Sequence, residues 1–439
     1  VACCLLPKHR VMIPQRLPEA IGLLPHSLFT IPKTMTDLIT NLFTEPIAEL
    51  FNLFGEKETL TLFLAQDRQK AFNEFLAAEE GFNGNKLAFL DKGITNSPYQ
   101  NQVENYPERL NLVPNLAIPG AKDYPNIGEM PDIDEGSLNF LHPDIKQACI
   151  CIGGTSGGPF KAIWFGRNAL DKEQYWSGTK IIPMLNILRE IQTDINSSVI
   201  GDEENSYNLK EVIEDIMTYE GKISSSNALG AMLKTFQTYK GLETWMKQIT
   251  GNAHAEFQGL YGEEPFIVSP VIKKDGEILL RAAEEIKQRD TQPGANLVTA
   301  YDLTRLISLV AWHDRLSESA KIPGISWDNL KPFIRTIGKD TARYVDVALE
   351  KLGLQNSINS PVILSKMGFG YTTLRRRTEL VYTCFVQFYF RGKVKSLAMT
   401  LRGAVALGDF DKEAVVVDAR MAAEVTEILR RLVEDEYIC

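Results

Sequence analysis

Apolar residues recur at three- and four-residue spacing through "TMTDLITNLFTEPIAELFNLF" and again through "DRQKAFNEFLAAEEGF", which predicts helices within residues 27–90. From Asp91 the texture changes. "DKGITNSPYQNQVENYPERLNLVPNLAIPGAKDYPNIGEMPDIDEG" is dense in proline, glycine and asparagine and reads as a long irregular connection. Two apolar runs follow, "QACICIGG" and "FKAIWFGRN", joined by "GGTSGGP", whose turn chemistry predicts a hairpin. Cys149 and Cys151 alternate along the first run, so both are expected on one face as buried small hydrophobes. Helical patterns come next, over 180–192, 209–219, 227–238, 279–289, 299–312 and 342–352. "LVYTCFVQFYF" and "KSLAMTLRG" read as strands, and "DARMAAEVTEILRRLV" as an amphipathic helix with Met421, Val425, Ile428, Leu429 and Leu432 on one stripe. Strands at both ends of this region with helices between them predict a sheet assembled from distant segments.

The 439 residues are 44% hydrophobic and 23% charged, with a formal net charge of −9, enough chain for a large domain with an extension. An acidic balance, with "LRRRTEL" the only tight basic cluster, argues against a nucleic-acid partner. No apolar run approaches the roughly 18–20 residues of a membrane-spanning helix. The chain opens "VACCLLPKHR" without an initiator methionine, so any secretion signal would lie upstream. His9, His26, His142, His254 and His313 show no paired ligand spacing and no C-x-x-C occurs, so no metal is expected. Gly154 to Gly158 satisfies G-x-S-x-G, but a nucleophile elbow needs a strand-to-helix turn, and here Pro159 and "FKAIWFG" continue as strand. No Lys-Ser/Thr follows Gly158, so the loop also fails as a phosphate cradle.

"YWSGTKIIPMLNIL" offers different chemistry. Ser177 and Lys180 stand three apart at the start of an apolar helix, a spacing that puts both on one face with Cβ atoms about 5–6 Å apart. An amine acts as base only when neutral, so the Lys180 pKa must fall from about 10.4 through burial and nearby positive charge. The Ser177 hydroxyl could then attack a carbonyl and form an acyl-enzyme, with helix-start N–H groups facing the oxyanion. Pro183 is expected to remove a helical hydrogen bond and kink the helix. S-x-N occurs four times, from Ser137, Ser206, Ser225 and Ser357; only Ser225-Ser226-Asn227 lies between helices downstream of Ser177. The competing reading of Ser225 and Asn227 is helix capping. K-x-G occurs three times, and only Lys366-Met367-Gly368 precedes strand-rich sequence, where lysine supplies positive potential and glycine permits close backbone approach.

The ordered trio "SGTK", "SSN" and "KMG", the approach "FGRNALDKEQYWSGTK" and the closing strands and helix resemble the serine β-lactamase and penicillin-binding-protein superfamily in its class A-like branch. The resemblance covers about residues 141–436, and "NLVTAYDLTRLISLV", with Thr299 and Asp302, resembles the helix before the family's third motif. It implies an α+β fold (an α/β sandwich), an antiparallel sheet flanked by helices plus an all-helical lobe. Residues 1–140 would form an N-terminal, mostly helical extension and linker outside the hydrolase-like domain, 141–436. It further implies a nucleophile at Ser177, a base at Lys180, a proton shuttle at Ser225, an amide anchor at Asn227 and electrostatic support from Lys366. Substrate would lie against Gly368 and Phe369, with the amides of Ser177 and Phe369 as oxyanion hole. Met367 and Phe369 stand where the family usually supplies hydroxyls. Arg375, nine residues after Lys366, could bind a substrate carboxylate instead; Arg376 and Arg377 would alternate around it on a strand, the other reading being a basic edge. The family's deacylating glutamate loop, R-x-x-E-x-x-L-N, is absent, and Glu264 is the weak substitute. The implied function is hydrolysis of β-lactam or D-amino-acid peptide amides without cofactor or metal, in an extracytoplasmic setting. Two alternatives stay open: a D-alanyl-D-alanine carboxypeptidase or transpeptidase of peptidoglycan, and a binding or scaffold protein that kept the fold and lost the chemistry.

Overall fold

The computed structural model describes residues 68–112, 119–155, 157–238, 240–283 and 295–437. The chain divides into two compact units, Val1–Phe63 and Leu64–Cys439, and the second holds all the described residues. The helices expected before residue 67 and most of the one expected at 279–289 lie outside them, as does Ser156.

Two strands near the middle of the chain, β3 (Ile145–Gly154) and β4 (Lys161–Arg167), form the expected antiparallel hairpin. Three long strands near its end, β5 (Asn359–Thr372), β6 (Arg377–Phe390) and β7 (Lys393–Val405), pair antiparallel in sequence. β7 then pairs with β3, so the sheet closes over nearly 250 residues of intervening chain. Two-residue strands β1 (Lys122–Asp123) and β2 (Ile133–Asp134) flank β4, giving the order β1-β4-β3-β7-β6-β5 with β2 also on β4. β5 is thus an edge strand, and alternate backbone groups along it have no strand partner.

β6 is buried without a break from Thr378 to Phe388, so both sheet faces are covered. On one face Val381 and Phe385 join the helix α6 (Ala300–Ala311), with Trp312 edge-on to Phe385 at 5.4 Å. On the other, Tyr382 meets Tyr344 of α8 (Tyr344–Lys351), and α9 (Phe410–Val433) packs across β6 and β7. The five residues expected on the α9 stripe are all buried. α1 (Arg68–Ala78) packs against α9, and β1 and β2 pair with β4, so these described elements contribute to the unit Leu64–Cys439.

A helical lobe forms around α2 (Ile181–Ile191), nine of whose eleven residues are buried. Around it lie α3 (Leu209–Thr218), α4 (Ser226–Lys234) and α5 (Gly241–Thr250), with α7 (Trp327–Ile337) against α3. α5 and α7 are additions to the sequence-based expectation; Pro332 within α7 masks its pattern. Glu277–Arg281 is a strand paired with Val271–Lys274, a correction to the helix expected from 279: the Asp275-Gly276 turn between them, with both residues at positive φ, favours a hairpin. Pro183 also differs from expectation. It lies in the first turn of α2, directly after the 3-10 turn Trp176–Lys180, rather than in the helix interior. Thr299 and Asp302 form a reciprocal capping box at the start of α6, and Asn252 holds the Asp302 carboxylate at 3.0 and 3.1 Å. The expected architecture, an antiparallel sheet between helical layers plus a helical lobe, is the one observed.

Candidate functional site

Ser177 sits in a 3-10 turn, Trp176–Lys180, that runs into α2 and lies across the β5 and β6 edge of the sheet. Gly368 fixes how closely: a Cβ there would fall 2.6 Å from the Tyr175 carbonyl oxygen and 2.8 Å from the Gly178 nitrogen. The close approach expected of this glycine is therefore made by the protein's own turn, the one that carries Ser177. A Cβ at Gly370 would likewise strike the Trp176 ring at 2.6 Å. Trp176 itself adopts φ +48°, unfavourable for a bulky residue. Its indole N–H donates to the buried carboxylate of Glu379 at 3.0 Å, and Glu379 is in turn held by Arg375, Arg377 and Arg402. Trp176 braces the turn that carries Ser177; should Ser177 be acylated, Trp176→Phe is expected to slow that labelling by about tenfold to a hundredfold through misplacement alone. Its pH dependence should stay where the wild type has it, checked by intact-mass labelling rates across pH.

Lys180 is fully buried, and its Nζ donates to Ser226 Oγ at 2.9 Å and to Asn227 Oδ1 at 2.8 Å. Ser226 gives its own hydrogen to the Ile216 carbonyl, so it can only accept from the lysine. Both contacts therefore consume N–H donors, and a neutral amine keeps its lone pair unspent. Burial, helped by the charge of Lys366, lowers the Lys180 pKa from 10.5 to about 6. Among the described residues no carboxylate forms an ion pair with it; Glu263 acts on it only at longer range, in the opposite sense. Tyr219 and Tyr261 flank the amine, with ring centroids 5.8 and 5.0 Å away. Ser177 Oγ, half-buried, has no hydrogen-bond partner among the described residues, an arrangement common before substrate tightens a site.

Lys366, on β5, is also buried, donating to Tyr219 Oη at 2.7 Å with Asp340 3.7 Å away. The structure thus gathers Ser177, Lys180, Asn227, Lys366 and Gly368 at one place. Ser225 is displaced from its expected role. It caps α4 by accepting from the Ala228 N–H and donates to Glu263, while Ser226 takes the place beside Lys180. Three consecutive serines make that register unreadable from sequence. Glu263, not Glu264, reaches the mouth of the site; Glu264 is exposed and makes no hydrogen bond or ion pair among the described residues.

Arg375 differs from its expected role too. The hairpin turn spans 373–376, so Arg375 and Arg376 are in the turn rather than alternating on a strand, and Arg376 takes φ +49°. The Arg375 fork is occupied by Glu173, Glu379 and Gln174. Phe369 turns its ring to Phe410, 6.2 Å away between centroids. Cys149, Cys151 and Cys384 are buried free thiols whose pKa burial pushes far up, which leaves them inert. Among the described residues no cluster of His, Cys, Asp or Glu could hold a metal, and no helix is long and apolar enough to cross a membrane.

No family model matches the chain, and no curated protein does. Among solved structures it is similar in backbone to a class A β-lactamase from Bacteroides cellulosilyticus DSM 14838, at 10% identity and TM-score 0.39, covering 66% of this chain and 94% of that one. A class A β-lactamase from Mycobacterium abscessus gives 12% identity and TM-score 0.39 over 65% and 93% of the two chains. A class D β-lactamase from Sebaldella termitidis ATCC 33386 gives 12% identity and TM-score 0.36 over 71% and 100%.

Proposed function

We propose that this protein is an acyl-serine hydrolase related to serine β-lactamases, with Ser177 as nucleophile and Lys180 as the base that activates it. One observation carries the reading: a buried lysine, three residues from a half-buried serine, donates only to the neutral Ser226 and Asn227 side chains, and burial lowers its pKa to about 6. Structural lysines are charged and exposed or ion-paired; this one is built as a base.

In the proposed reaction Ser177 Oγ bonds to the substrate carbonyl carbon as its proton passes to Lys180 Nζ. The oxyanion lies against the amides of Ser177 and Phe369, with Lys366 adding positive potential. Lys180 returns the proton to the leaving group as its bond to carbon breaks. Water then releases the acyl group. Asn227, anchored on Lys180, holds the substrate amide. The substrate class proposed is a β-lactam or D-amino-acid peptide, or another activated acyl compound.

Intact-mass spectrometry after incubation with fluorescent penicillin or an activated ester tests this. One adduct, mapped to Ser177 and absent in Ser177→Ala, is expected; a folded protein that takes no adduct from either class would sink the proposal. Assay of alanine released from a D-alanyl-D-alanine peptide then separates carboxypeptidase from β-lactamase action.

A further inference from the structure

Resting on the acyl-serine reading, we infer that Glu379 and Arg402 are positioning residues for Ser177, a buried clamp that pins the turn carrying it at Gln174 and at Trp176. Strand register puts both residues on the face that meets this turn. Gly368 lies opposite Val381 and Gly370 opposite Glu379 across β5 and β6, and Val381 lies opposite Arg402 across β6 and β7. Opposed residues, and residues two apart on one strand, share a face, so all five stand together. The turn lies against that face: a Cβ at Gly178 would come 3.1 Å from Val381 Cγ1, as one at Gly370 would strike Trp176.

Glu379 and Arg402 are fully buried, 2.9 Å apart. Glu379 Oε2 accepts the Trp176 indole N–H at 3.0 Å, and Arg402 Nε donates to the Gln174 carbonyl at 3.2 Å. Arg402 Nη1 donates to Gln147 of β3 at 2.6 Å, which ties the clamp to a third strand. Between the pinned points the Tyr175 carbonyl accepts the Gly178 N–H at 3.0 Å. A buried ion pair carries a desolvation cost that apolar residues of similar size would avoid; here each charge also reaches across to the turn. Trp176 is held at φ +48°, which a bulky residue keeps only when its surroundings impose it. The peptide unit joining Trp176 to Ser177 is planar, so the Trp176 dihedrals aim the Ser177 N–H. A turn released toward negative φ would swing that N–H away from a developing oxyanion. Lys180 would be untouched, since its partners are Ser226 and Asn227.

Intact-mass labelling of the full chain by 4-nitrophenyl acetate at several concentrations, with the Ser177→Ala background subtracted, gives a maximal rate, a half-saturating concentration and a final labelled fraction. Glu379→Gln should lower the maximal rate by about tenfold or more. The half-saturating concentration, the labelled fraction and the midpoint of the pH profile should stay as in the wild type. Combined with Trp176→Phe, it should be slower than the slower single variant by no more than about threefold, because one residue acts through the other. A residue that merely held the fold would lower the labelled fraction, or slow both backgrounds alike. Effects that multiply, or a maximal rate unchanged in Glu379→Gln, overturn this inference and leave the acyl-serine reading standing. If Glu379→Gln does not fold, Arg402→Lys takes its place in the same cycle; it keeps the charge but loses the fork that reaches Gln174 and Glu379 together, and the same outcomes decide. Absence of any Ser177-dependent labelling in the wild type overturns both.

Discussion

Replacing Lys180 with methionine should reduce covalent labelling of Ser177 by about a thousandfold, the usual scale for loss of a general base, while making the folded protein more stable. The two effects have one cause. In the fold this amine titrates near 6, against 10.5 for the free side chain, because burial and Lys366 penalise its charged form. Between those values the unfolded chain binds the proton and the folded one does not. Wild-type stability therefore rises with pH across that window, and the burden is greatest below pH 6, where a charged ammonium must be buried. Methionine fills similar volume without that burden but leaves Asn227 Oδ1 and Ser226 Oγ short of a donor, which costs about 1–3 kcal/mol. The expected net gain is on the order of 1–3 kcal/mol below pH 6, shrinking as pH rises toward 10.5. Chemical denaturation of both proteins at several pH values checks the sign. A variant less stable than wild type at acid pH would mean that Lys180 is a charged structural lysine, and the base assignment would fall with it.

What the sequence made legible follows from how local each signal was. The α9 stripe, the capping box of Thr299 and Asp302, and the β3–β4 hairpin rest on spacing and turn chemistry within a few residues, and each formed as expected. Ser177 and Lys180 share the turn that leads into α2, and burial lowers the lysine pKa, the direction a base at that position would need. Other features depend on partners far along the chain. That Arg375 is spoken for is set by Glu173, some two hundred residues earlier, and by Glu379 across the turn. Glu263 reaches Ser225 across thirty-eight residues, and nothing in "YGEEPF" says which of its two glutamates will do so. The exchange of Ser226 for Ser225 is a one-residue difference in where α4 begins, the kind of boundary that periodicity resolves least well.

Lys366→Met should move the acylation limb to higher pH. In the wild type the rate of Ser177 labelling is expected to rise with pH and reach half its plateau near pH 6, where Lys180 loses its proton. Burial is the larger cause of that low value and remains in the variant, while the repulsion from Lys366 is removed. The amine becomes easier to protonate, and the limb shifts up by about one pH unit. The plateau should also fall, by about tenfold to a hundredfold, because a cation facing the developing oxyanion is gone. Lys366→Arg keeps the charge and should leave the limb near pH 6, even if its bulk lowers the plateau. Tyr219→Phe removes the hydroxyl that receives Lys366 without removing charge, and separates loss of position from loss of potential. A limb that stays at pH 6 in Lys366→Met while the plateau drops would assign the Lys180 shift to burial alone. The two lysines would then act independently, Lys366 on the oxyanion and Lys180 on the nucleophile, rather than as a pair in which one cation tunes the other.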